Sequence, residues 1–263
     1  MKESIVIKGG TLITMDARGS VVKGEREPSL TTKVAGDSKP QLRDPMEGSV
    51  KPEHSKEMPL TVIVSVETCG VAEPLSGTIA AKLRERFGIE RERLVISSTH
   101  THSAPWLRDF GPNIFPPPLP DEHDKHLTQY EAELIEKVLQ VVGEAIKARQ
   151  PARFSWARTT ADLNVNRRVM KDGKWTGFGN QKDGVRDQRL PVMAVRDASG
   201  KLFAIWSNYA MHCTVHGGNF MAISGDWAGA AMEQIEADHP GAISLITIGC
   251  GADQGPRLNG GLA

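Results

Sequence analysis

Two apolar runs with a helix between them constrain this chain more than any other feature. Leu60 to Thr68 (L-T-V-I-V-S-V-E-T) is a nearly unbroken β-branched run, the pattern of a strand covered on both faces. Pro74 to Phe87 reads as a helix, with Leu75, Ile79, Leu83 and Phe87 at four-residue steps and Gly88 as its stop. Leu94, Val95 and Ile96 then open a second strand. Strand, helix, strand over so short a span implies a parallel pair joined by a right-handed crossover. Functional groups on such sheets gather beyond the carboxyl ends of the strands. The second strand runs into S-S-T-H-T-H-S-A-P, which puts His100 and His102 at that end. Residues two apart on an extended segment share a face, so both imidazoles can reach one point. Neutral imidazole is a good zinc ligand. A bare H-x-H also fits two polar residues on a half-exposed face. Its place after a buried strand, in a loop of Ser, Thr and Pro, is where scaffolds carry chemistry.

The rest of the chain extends this sheet. A helix is expected from about Leu127 to Arg149, with Leu134, Ile135, Val138, Leu139, Val142 and Ile146 on its apolar stripe. The preceding D-E-H-D-K-H offers an H-x-x-H, but its acidic residues suit a solvated helix start. Phe154 to Asn164 reads as a strand that exits into N-V-N-R-R. The basic pair Arg167-Arg168 can clamp an anionic or carbonyl group through the guanidinium fork, or be surface charge. Pro191 to Arg196 and Leu202 to Trp206 flank the turn Asp197-Ala198-Ser199-Gly200, a hairpin signal. The fold class expected is therefore α/β: a mixed, largely parallel sheet flanked by helices.

The second hairpin strand continues into N-Y-A-M-H-C-T-V-H-G-G. His212 is the stronger of its two histidines as a site residue, because it lies nearer the strand. Asp226 is a natural N-cap for a helix from Trp227 to Ala237. Ile243 to Ile248 is a last buried strand, ending in G-C-G-A-D-Q-G-P, where Asp253 can face the site. Three segments follow from these readings. Residues 1–24 hold two short strands around Gly9-Gly10, residues 25–59 are a polar linker, and residues 60–263 form the organised domain.

Composition removes several function classes. Lys plus Arg and Asp plus Glu number 32 each, which leaves no electrostatic case for a nucleic-acid partner. No apolar run is long enough for a transmembrane helix, and the first residues lack the apolar core of a secretory signal. A cytoplasmic chain is expected as the sequence stands, or a secreted one if the gene start is incomplete. Cys69, Cys213 and Cys250 form no C-x-x-C pair and no disulfide framework. The oligomeric state is left open.

Several motifs together resemble the neutral, non-lysosomal ceramidase family. S-S-T-H-T-H-S-A-P is similar to that family's T-H-T-H-S-G-P signature, N-Y-A-M-H-C-T to its second histidine segment, and N-V-N-R to its arginine segment. I-S-G-D-W-A-G and G-C-G-A-D-Q-G-P follow in the family's order, so the resemblance spans roughly Leu60 to Asn259. It implies a zinc-dependent amidase with an α/β catalytic domain that acts on a small-molecule or lipid substrate such as ceramide, or on a related ester. It implies zinc on His100 and His212, with His102 lining the site and the active-site arginine at Arg167. His102 or Asp253 would move the proton. Two departures stand out: Gly255 replaces the family's loop serine, and the family's glutamate and tyrosine ligands come from a later region than Ala263, as in a truncated chain.

Other classes stay open. The opening I-V-I-K-G-G-T-L-I-T-M-D resembles amidohydrolase-superfamily enzymes, which also use H-x-H on an eight-stranded barrel. A non-catalytic remnant of the ceramidase fold that binds a lipid or a partner is the third reading.

Overall fold

The computed structural model describes residues 3–7, 11–14, 60–111 and 119–257. The expected linker at 25–59 and the turn at Gly9-Gly10 lie outside the described residues. The elements, in chain order, are β1 (Glu3–Ile7), β2 (Thr11–Thr14), β3 (Val62–Val66), α1 (Glu73–Phe87), β4 (Leu94–Ser98), α2 (Asp121–Lys147) and β5 (Gln150–Thr160). There follow β6 (Asn164–Lys171), β7 (Lys174–Gln181), β8 (Arg189–Asp197), β9 (Leu202–Tyr209), α3 (Asp226–Asp238), β10 (Ile243–Ile248) and β11 (Gln254–Pro256).

The strand–helix–strand unit forms as its sequence requires. Pro74 sits in the first turn of α1, where a missing N–H costs nothing. Gly88 ends the helix at φ 66°, a left-handed conformation suited to glycine, and its N–H bonds the Arg84 carbonyl. Strands β3 and β4 pair in parallel from Val62↔Leu94 to Val66↔Ser98. Ile79, Leu83 and Val142 are at most 1% exposed where α1 and α2 pack on this pair. Burying each such side chain contributes roughly 1.5–3 kcal/mol. Helix α2 starts at Asp121, earlier than its apolar stripe. The D-E-H-D-K-H segment is its first turns, with His123 and His126 exposed.

The expectation of a largely parallel sheet is corrected. The eight-stranded sheet has the order β10-β9-β8-β5-β1-β2-β3-β4. Only β3·β4 and β9·β10 are parallel, and these are the pairs with a helix in their crossover. The other neighbours are antiparallel: β5, β8 and β9 lie side by side in alternating direction, and the antiparallel pair β1·β2 is set between β5 and β3. An (αβ)-alternating barrel of eight parallel strands is not what these elements build. No helix among the described residues is long and apolar enough to cross a membrane.

Two local expectations also change. The strand read as running to Asn164 stops at Thr160, and Asn164 opens β6, so the basic pair lies inside a second, three-stranded sheet ordered β11-β6-β7. The turn Asp172-Gly173, both at positive φ (50° and 74°), reverses the chain into β7. Asp226 is not the N-cap of α3; Gly225 is. The Asp226 carboxylate instead accepts the N–H groups of Val215, His216 and Trp227 at 3.2, 3.0 and 2.7 Å, tying the loop after His212 to the helix.

The two ends of the large sheet meet. The Ser65 hydroxyl on β3 donates to the Ile246 carbonyl on β10 at 3.0 Å. Ile63 packs with Val195, Ala204 and Leu245 in one apolar cluster. The segments leaving β4 and β9 are thereby brought side by side, and Thr101 and Cys213 pair as a parallel bridge.

Candidate functional site

That closure sets His100 against His212. Strand β4 ends at Ser98, so the histidines are not on the strand itself. His100 adopts φ 60°, a conformation that a non-glycine residue takes at a cost and that is frequent at functional positions. The turn swings its ring inward. Ring centroids of His100 and His102 lie 5.1 Å apart, those of His100 and His212 4.3 Å, and those of His102 and His212 5.3 Å. His102 is exposed at the mouth, whereas His212 is 6% exposed.

Hydrogen bonds define which nitrogens face inward. His100 Nδ1 lies 2.6 Å from the Cys69 carbonyl oxygen, and His212 Nδ1 lies 2.9 Å from that of Gly251. A carbonyl only accepts, so each Nδ1 carries the proton and each neutral ring presents a lone pair at Nε2. The two Nε2 atoms are 2.9 Å apart. Facing lone pairs repel at that distance; a proton or a cation shared between them removes the conflict. Backbone carbonyls that fix the Nδ1–H tautomer are also how metal-binding histidines are oriented. The donor set of two imidazoles therefore fits a zinc-type ion. Cys69, which the sequence reading passed over, belongs to a different donor group: ligand atoms of Cys69, His100 and His102 all lie within 4.8 Å of one another, and the Cys69 sulfur is 3.8 Å from His100 Nδ1, not from the nitrogen that faces His212. Its position at the end of β3, beside the end of β4, was the available signal. Burial pushes the Cys69 thiol above its usual range, so it is protonated without a metal.

Arg167 completes the cluster. Its Nη2 lies 2.9 Å from His212 Nε2, and its Nε and Nη2 donate to the Ala252 carbonyl at 3.1 and 2.9 Å. Burial, then the neighbouring Arg168, lowers its pKa. Asp253 approaches mainly through backbone: its carbonyl takes the Arg167 N–H at 2.8 Å, while its carboxylate accepts from Asn166 Nδ2 at 3.1 Å. Gly255 is buried on β11, paired with Val165. Glu67, at the end of β3, packs its carboxylate against Gly225 and Gly229, and burial with help from Glu233 raises its pKa.

The chain is 26% identical over 194 residues to neutral ceramidase A of Dictyostelium discoideum, a match that covers 72% of this chain. It is related to the neutral ceramidases. The match spans 26% of that relative's length. Its fold is similar to part of neutral ceramidase from Pseudomonas aeruginosa, with a TM-score of 0.59 and 18% identity over 76% of this chain and 32% of that one. A ceramidase complexed with C2 aligns with a TM-score of 0.63 and 18% identity, over 79% of this chain and 32% of that one. No protein-family model matches.

Proposed function

We propose that this chain carries a zinc-dependent hydrolase site of the neutral ceramidase type, which cleaves an N-acyl amide such as a ceramide-like lipid, or a related ester. The observation that carries the reading is the convergence of His100 Nε2 and His212 Nε2 at 2.9 Å, with Arg167 Nη2 on the same atom of His212. His100 and His212 would hold the zinc. Bound zinc supplies Lewis acidity, which polarises a carbonyl and acidifies water.

The remaining work falls to protein groups. Arg167 reaches the cluster through His212, so a carbonyl oxygen that gains charge during attack would be steadied by its guanidinium. For that it must release His212, whose Nε2 lone pair it now occupies. His102 stands free at the mouth, within about one ring width of both other histidines, and is the group to take a proton from water and return it to the leaving nitrogen. The Asp253 carboxylate is engaged by Asn166, which favours His102 for this step.

The test is release of free fatty acid from a short-chain N-acylsphingosine and a matched acyl ester by the zinc-loaded chain. Release is expected from at least one, falling about 100-fold in Arg167→Ala. No release from either, with zinc bound, contradicts the reading.

A further inference from the structure

Consecutive residues of a strand ordinarily point to opposite faces. Arg167 and Arg168 do not behave so. The β6·β7 ladder shifts register between Asn166 and Arg168, an irregularity of the kind that re-aims side chains beside active sites. Both guanidiniums reach the Ala252 carbonyl, Arg168 through Nη2 at 3.3 Å. Both also lie 4.9 Å from the centre of the Phe178 ring. Two like charges are thus gathered at one edge of the histidine cluster.

Among the described residues no carboxylate comes within ion-pair distance of either guanidinium. The Asp253 carboxylate acts on the Arg167 guanidinium only through space, and it accepts instead from Asn166 Nδ2. The hydrogen bonds they make leave Nη1 of each unused. Adjacent guanidiniums that share one neutral acceptor repel each other, and an oxyanion that bridges them removes the repulsion and uses the spare donors. Planar guanidinium forks match carboxylate and phosphate oxygens.

We propose that Arg167 and Arg168 form an anion subsite beside the histidine pair, so that an acyl amide with a carboxylate or phosphate group near its scissile bond binds better than a neutral one. This rests on the hydrolase reading for its meaning, but it can be measured apart from it. A neutral acyl amide fills the histidine cluster and leaves the subsite empty; an anionic one engages both. Arg168 is then the residue that selects substrate, and Phe178 the ring its guanidinium packs against.

The experiment uses chelator-treated, metal-free chain, so that neither zinc content nor turnover enters. Binding of hippurate, neutral hippuramide and inorganic phosphate is measured by calorimetry for wild type, Arg168→Ala and Arg168→Lys, with thermal melts to show that each variant folds. Hippurate or phosphate should bind wild type about tenfold or more tighter than hippuramide. Arg168→Ala should erase that preference, and Arg168→Lys should keep part of it. The tighter of the two anions names the group the subsite prefers. Equal binding of hippurate, phosphate and hippuramide to wild type, or an anion affinity unchanged in Arg168→Ala, overturns the proposal.

Discussion

His212 is fixed at both nitrogens. Gly251 holds Nδ1, while His100 and Arg167 crowd Nε2. Burial drives its pKa down to about 4, with Arg167, His100 and His102 pushing the same way against the Gly251 hydrogen bond. An unfolded histidine titrates near ~6.5. The folded value is the lower one, so protons favour the unfolded chain: this contribution is complete above about pH 6.5 and is lost as pH falls towards about 4. Between about pH 7 and about pH 4.5 the metal-free wild type should lose roughly 2 kcal/mol more stability than His212→Gln in urea titrations. Parallel pH profiles for the two proteins contradict this account of the ring's surroundings.

The loop from Gly249 to Pro256 is the element that orients the site. It lends the Gly251 carbonyl to His212 and the Ala252 carbonyl to Arg167. Gln254, 4% exposed, pins it: Nε2 donates to the Cys250 carbonyl at 2.8 Å, and Oε1 accepts from Asn164 Nδ2 and the Asp187 N–H, each at 2.7 Å. Gln254→Met keeps the volume and strands those donors. It should cost about 1–3 kcal/mol of stability and weaken zinc binding roughly tenfold, read by melts and by competition with a chelator. An unchanged zinc affinity would show that the loop does not orient His212. Gln254 had no signal in the sequence, because its partners Asn164 and Asp187 are long-range. The strands and helices that carry the histidines were legible, since periodicity and β-branching are local. His100 and His102 were legible as a pair because two residues cannot separate far. That a left-handed turn at His100, and not strand alternation, aims its ring was invisible in a string of letters.

At the scale of the molecule, the parallel unit β3–α1–β4 was readable, and the sheet's hand-over to antiparallel pairing was not. Alternating strands and helices argue for parallel order only where every crossover holds a helix. Here the crossovers of β3·β4 and β9·β10 do, and antiparallel strands stand between them. The meeting of β3 with β10, through Ser65 and Ile246, is what turns two distant histidine segments into one site. The proposed chemistry therefore requires His100 and His212 to act as a unit. Zinc per chain, by elemental analysis of wild type, His100→Ala and His212→Ala, tests it most directly. About one zinc in the wild type, lost in each single variant while both stay folded, is the result expected. Full zinc retained in either variant, or none taken up by the wild type when zinc is supplied, would contradict it.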